Sequence, residues 1–425
     1  MKKSFWILLL CLSSAFVFGD ARIMNREKPA WISVESSCKS HLVRVNEPFE
    51  FIINSNRKQK LKVIISQDGE AVLKNLTVTP PAAVTVSLPY PGFVRCSVTS
   101  DDPAVPEVLC GVGVDPDQLR PLLPEPEDFD EFWADTKKEL AKIPADFKMT
   151  PTGSDKKFRY YRISCANLNG QRAYAMLSLP VDSTKKMPLL VRFAGGDAYI
   201  SESAVSVSEK ENPGFECAKL CFQLPPYPPV KKQADAKARH EKFMKKLGLK
   251  RYPHFGIEDR NRFYARSAVA GASRLLEEVL KQPGVDPDRV GYCGSSHGGG
   301  LGLLLAAFSD KIKAAYCGVP NFGDRGGFLT GRHTPDSNSP EYRSNLDTLL
   351  YFDTSYAARR IRIPVMISVG FTDIYCPPSA VYTIYNELKG PKIIFNKILH
   401  GHAGGPPECQ PMIDIWLSKQ LSEEK

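Results

Sequence analysis

Residues 294 to 298 read Gly294-Ser295-Ser296-His297-Gly298, a serine with a glycine two positions away on either side. The short apolar run RVGYC enters this stretch and GLGLLLAAF leaves it, so a strand, a sharp turn and a helix from Gly298 onward are expected. A serine on so tight a turn takes a strained backbone, and side chains at the glycine positions would crowd it. Ser296 is therefore the candidate nucleophile, its hydroxyl at the carboxyl edge of a sheet. A phosphate cradle would need G-x-x-x-x-G-K-[ST] or G-x-G-x-x-G, and neither is present here.

A serine hydroxyl needs a base, and the base needs an orienting group. In hydrolases of this topology the chain order is serine, acid, histidine. Downstream, the strand IPVMISVG leads into Phe371-Thr372-Asp373, which makes Asp373 the expected acid; Asp324, Asp347 and Asp353 are weaker rivals. The strand KIIFNKIL leads into His400-Gly401-His402, and spacing alone leaves His400 and His402 open as the base. His333 precedes Asp373, in the wrong order, and reads as a surface or pocket residue. Two backbone N–H groups must also converge on the oxyanion. The N–H of His297 is one, and Gly196, in the Gly195-Gly196-Asp197 loop after PLLVRFAG, is the expected second.

These residues need a framework, and the pattern beyond residue 118 supplies one. Strand-like runs such as FRYYRISCA, RAYAMLSLP and KAAYCGV alternate with helical stretches, including DFDEFWADTKKELAKI with Asp128 as N-cap. That alternation predicts a mostly parallel sheet covered by helices on both faces. Residues 20–117 differ: short alternating runs such as KLKVIIS and AAVTVSLP, separated by turn residues, predict an all-β, immunoglobulin-like sandwich. Its plain role is that of a spacer or packing domain. DPDQLRPLLPEPEDFDEF reads as a linker, and the proline-led basic stretch 225–251 as a solvated helix on an insertion.

Composition narrows the function classes. The 425 residues are 43% hydrophobic and 24% charged, as in a globular chain of two or three domains. The formal charge of +9 is mild at this length and calls for no nucleic-acid partner. MKKSFWILLLCLSSAFVFGDA reads as a secretory leader over residues 1–19 with cleavage before Asp20, and no other segment reads as a membrane span. Export permits disulfides, yet the cysteines show no zinc-type spacing, so no metal and no cofactor is expected.

The chain also resembles the acetylxylan esterase/cephalosporin-C deacetylase group of α/β-hydrolases, carbohydrate esterase family 7. The likeness runs from about residue 120 to the C-terminus and rests on PEDFDEFWADTKKEL, GIEDRNRFYARSAVAG, VDPDRVGYCGSSHGGGLGL, GFTDIYCPPSAVYTIYNELKGPK and the HGHAGG loop. It implies an α/β-hydrolase fold over 118–425, a Ser296–Asp373–His402 triad, and Gly196 and His297 at the oxyanion positions. The implied substrate is an acetylated oligosaccharide or other small ester, with homo-oligomerisation left open. A peptidase or other ester hydrolase of the same fold, and a non-catalytic carbohydrate-binding scaffold, are the alternatives. Three positions depart from the family pattern: His297 stands where glutamine is usual, Ala403 where an acid is common, and LPPYPPV (224–230) replaces an expected Arg-Gly-Gln motif.

Overall fold

The structure is a computed structural model that describes residues 31–196, 199–206 and 215–422. The leader expected over 1–19 and the loop residue Asp197 lie outside them. The N-terminal part forms two facing sheets. One contains β1 (Ile32–Ser36), β3 (Phe49–Ser55) and β6 (Ala82–Val86); the other runs β2 (Leu42–Val43), β8 (Val108–Val114), β7 (Gly92–Thr99), β4 (Leu61–Gln67), β5 (Ala71–Val78). Alternate residues point inward, and Phe51, Ile53, Val63, Ile65, Val94 and Val112 meet in a closed apolar core. This is the expected sandwich, with one departure: the two-residue β2 pairs with β8 in parallel.

Among the described residues the second part is built on nine strands: β9 (Lys148–Ser154), β10 (Phe158–Ala166), β11 (Arg172–Pro180), β12 (Met187–Phe193), β13 (Ala218–Gln223), β14 (Val285–Ser295), β15 (Ala314–Gly318), β16 (Val365–Gly370) and β17 (Lys392–Lys397). Their spatial order is β17-β16-β15-β14-β12-β13-β11-β10-β9. The six strands from β17 to β13 are parallel, while β11, β10 and β9 continue one edge antiparallel. The chain steps from β12 outward to β13, then returns to place β14 on the other side of β12. A crevice opens at such a reversal, beyond the carboxyl ends of the strands. The loops after β12 and β14 flank it.

Helices cover both faces. The named helices in chain order are α1 (Phe129–Ala141), α2 (Gln233–Leu247), α3 (Tyr264–Val279), α4 (His297–Phe308), α5 (Pro340–Ser344), α6 (Leu346–Leu350), α7 (Thr354–Ala358), α8 (Pro378–Glu387) and α9 (Cys409–Gln420). Along β15, Ala315 and Cys317 join the core on the α4 side, while Tyr316 packs with Ile413 and Leu417 of α9; period-two alternation of strand side chains produces both contacts. This is the α/β-hydrolase fold.

Two local expectations change. The linker is no loose tether: Leu122 N donates to Asp324 Oδ1 (2.9 Å), Tyr356 OH to the Leu123 carbonyl (2.8 Å), and Glu125 pairs with Arg359 (2.7 Å). Asp128 occupies the N-cap position of α1 without capping it, because its carboxylate is taken by Arg260 and Tyr351. Phe129, Trp133 and Leu140 of α1 are buried, with Trp133 stacked on Phe308 at 4.4 Å.

Candidate active site

Ser296 sits between β14 and α4 with φ 59° and ψ −125°, a backbone state that L-residues avoid unless the surroundings enforce it. The glycines are part of that enforcement. A Cβ on Gly298 would lie 2.5 Å from the Phe193 carbonyl oxygen, and one on Gly294 would lie 2.7 Å from the Tyr292 hydroxyl. That hydroxyl donates to the Gly298 carbonyl and accepts from Phe193 N, tying β14, β12 and the first turn of α4 together. Ser296 N donates to the Gly318 carbonyl at 2.8 Å. The helix begins at His297, one residue earlier than the sequence suggests, so the His297 N–H belongs to a first helical turn whose amides have no intrahelical acceptor.

Asp373 follows β16 and is fully enclosed. Its Oδ1 accepts from Tyr375 N (2.8 Å) and Cys376 N (2.9 Å), and its Oδ2 lies 2.9 Å from His402 Nδ1. An ionised carboxylate only accepts, so Nδ1 carries the proton and Nε2 presents its lone pair. Between the two histidines that spacing left open, His402 is the one on Asp373; its side chain is 6% exposed. The rival acids are engaged elsewhere. Asp324 pairs with Arg332, Asp353 caps α7 through Ser355 N, and Asp347 lies within α6.

Ser296 Oγ does not hydrogen-bond His402 among the described residues; its contact is Cys376 Sγ at 3.9 Å. Burial pushes the Cys376 thiol well above the ordinary thiol range, so it faces the serine as a neutral group. Asp373, Cys376 and His402 bring one ligand-type atom each within 4.8 Å of one another. Spacing rules for metal motifs miss this trio, because His402 comes from a separate loop, and the Asp373–His402 hydrogen bond already engages two of its members.

Gly196, after β12, has φ 63° and its carbonyl accepts from His297 Nδ1. The two expected oxyanion residues are thus joined to each other across the crevice. His297 Nε2 meets the buried Tyr264 hydroxyl at 2.8 Å, and its ring packs edge-on to Tyr264 and Phe322. The LPPYPPV loop lies beside the continuation of this segment: Gln223 bridges Ile200 N and the Tyr227 carbonyl, Val230 pairs with Ser201, and His240 of α2 stacks on Tyr199 at 4.6 Å.

Three neighbours of the site escape sequence reasoning. Lys397 donates toward the carbonyls of Gly401, His402 and Gly404; Tyr375 packs edge-on to the His402 ring at 5.2 Å; and Tyr264 reaches His297 from α3. For Cys376 a signal existed, since it lies three residues after Asp373 in one of the stretches that carry the family resemblance.

Comparison with known proteins adds a second line. The acetyl xylan esterase (AXE1) family model matches residues 117–326 and 331–419. The acetyl esterase Axe7A of Xylanibacter ruminicola is 25% identical over 338 residues, covering 78% of this chain and 75% of that protein. The acetyl xylan esterases of Paenibacillus sp. R4 and Thermoanaerobacterium sp. JW/SL YS485 are each similar in structure at TM-score 0.59 and 21% identity, over 72% of this chain and 98% of theirs. At that identity the two structures speak for the fold.

Proposed function

The chain belongs to the acetyl xylan esterase (AXE1) family and is a carboxylic ester hydrolase, and from that premise we propose that it is exported and deacetylates xylan-derived oligosaccharides with Ser296, His402 and Asp373. The observation that carries the reading is the strained Ser296 beside a buried Asp373–His402 pair bonded at 2.9 Å. Ser296 Oγ turns from Cys376 toward Nε2, gives up its proton there and attacks the ester carbonyl; catalytic hydrogen bonds often form only once substrate is present. The carbonyl oxygen becomes an oxyanion held by the N–H groups of Gly196 and His297. His402 then protonates the departing sugar oxygen, which leaves as a hydroxyl, and an acetyl-serine remains. A water activated by the same nitrogen releases acetate and restores Ser296. Asp373 keeps the proton on Nδ1 throughout and stabilises the imidazolium.

Ser296→Ala should leave the circular dichroism spectrum unchanged and abolish both p-nitrophenyl acetate turnover and acetate release from acetylated xylo-oligosaccharides. Unchanged turnover would remove Ser296 from the mechanism. Cleavage of peptides in place of acetylated sugars would move the substrate class to the peptidase alternative. Failure of a fluorophosphonate to label Ser296 in the native chain would favour the non-catalytic scaffold.

A further inference from the structure

The β4–β5 hairpin of the sandwich reaches the loop that bears the proposed acid. In its turn, Asp68-Gly69-Glu70, Asp68 has φ 52° and Gly69 φ 87°, the paired positive values of a tight hairpin turn, for which Asp-Gly is a favoured sequence. The turn sets one carboxylate, that of Asp68, against the start of α8 and the other, that of Glu70, against His333. Asp68 is buried and accepts from Ser379 Oγ. Glu70 Oε2 lies 2.9 Å from His333 Nδ1, and His333 Nε2 lies 3.1 Å from the carbonyl oxygen of Ile374, the residue directly after Asp373. The imidazole of His333 thus bridges the Glu70 carboxylate and the Ile374 peptide. Beneath this pair, Phe93 of β7 packs edge-on to Phe371 at 5.1 Å. A Cβ on Gly111 of β8 would stand 2.2 Å from the Phe371 carbonyl oxygen. The sandwich therefore meets the segment 371–379 at its start, through His333 at Ile374, and at its end.

We infer that the N-terminal sandwich is a working part of the esterase site, with Glu70 and His333 as positioning residues that hold the Ile374 peptide and so aim Asp373 at His402. The inference rests on the triad reading above. Residues 371–377 belong to no helix or strand, and Asp373 takes two of its hydrogen bonds from amides of this same loop. Its carboxylate direction consequently follows the loop backbone. Fixing the peptide between Asp373 and those two amides fixes the angle at which Oδ2 meets the imidazole. A mere spacer would set no carboxylate against His333, the residue that contacts Ile374.

The test uses the full chain and p-nitrophenyl acetate. His333→Ala and Glu70→Ala should each lower kcat roughly 5- to 20-fold with KM changed less than about twofold, since sub-ångström misplacement of catalytic groups acts on the transition state. Fluorophosphonate labelling of Ser296 should slow by the same factor. Because the two residues act through one contact, the double variant should be no slower than the worse single. His333→Gln, which keeps a donor for the Ile374 carbonyl, should recover most of the rate. Glu70→Gln preserves shape at a partly exposed position and covers the event that an alanine variant misfolds; it should lie between Glu70→Ala and native. Native kcat in Glu70→Gln and the single alanine variants, or a double variant whose loss is the product of the singles, overturns the inference. A native chain that neither labels nor turns over removes the triad reading itself, and this inference with it.

Discussion

Gly196 offers His297 a carbonyl, which can only accept, so the imidazole must carry its proton on Nδ1 and leave Nε2 to accept from the Tyr264 hydroxyl. The side chain at this position thus holds the opposite wall of the proposed oxyanion site, which its own N–H is proposed to serve. Sequence reasoning marked His297 as a departure from glutamine without finding this role, because Tyr264 and Gly196 are brought to it by α3 and β12 from far along the chain. An amide at the same position also has a donor for the Gly196 carbonyl. His297→Gln should therefore retain kcat within a few-fold, whereas His297→Ala should lose about tenfold or more, as oxyanion donors that are no longer aimed lose most of their effect. Tyr264→Phe leaves a buried ring nitrogen without its donor and should lower stability by about 1–3 kcal/mol. Steady-state kinetics and thermal melts on these three variants decide the matter. Equal kcat for His297→Ala and native would dismiss the positioning role.

At the scale of elements, strands were legible and their partners less so. The runs FRYYRISCA and RAYAMLSLP form β10 and β11 residue for residue, because apolar patterning and flanking turn residues are local signals. That these two pair antiparallel at the edge of a parallel sheet, and that the proline-rich linker is pinned by α7, depends on contacts that local patterning does not encode. The loop after β17 shows the same limit. Lys397, the last residue of that strand, is buried and donates to Gly404 O at 3.0 Å and toward Gly401 O and His402 O at 3.5 Å; in the sequence it is only the end of a strand. Its ammonium gathers three carbonyls of the loop that carries His402. Burial pulls its pKa below the ordinary 10.5, with the nearby Asp373 charge opposing the shift. As pH rises through that lowered value the ammonium becomes an amine, one donor and the charge assistance disappear, and the loop loosens. The alkaline limb of native kcat should consequently begin below the pKa of a free lysine. Lys397→Met, which has no clasp at any pH, should show a low kcat without that limb, measured between pH 7 and 10. A Lys397→Met profile parallel to native would sever the lysine from the pH response.

The whole molecule joins a β-sandwich to an α/β unit through a polar and aromatic interface, and little of that was legible. Asp68 and Glu70 lie on an Asp-Gly turn, a composition that reads as solvent-facing, and only the docked arrangement buries Asp68 against α8. The expected spacer thereby gains a specific contact, and the contact carries a cost that can be measured. Asp68 Oδ1 has no hydrogen-bond partner among the described residues, and burial pushes the carboxyl up to about 6 from 3.8, against the opposing effects of Ser379 and Arg95. The sign follows from proton binding. Between pH 3.8 and about 6 the unfolded chain has released this proton while the folded chain still holds it, so stability falls as pH rises through that window and stays lower above it. Asp68→Asn keeps the shape and an oxygen for Ser379 and has no charge to bury. It should be neutral at pH 4 and raise the melting temperature at pH 8, by an amount equivalent to about 3 kcal/mol at most at 1.36 kcal/mol per unit. Calorimetry at the two pH values reads the difference directly. If Asp68→Asn melts lower than native at pH 8, the charged carboxylate is satisfied in the interface, and the sandwich is held to α8 by an ionic contact rather than burdened by a buried charge.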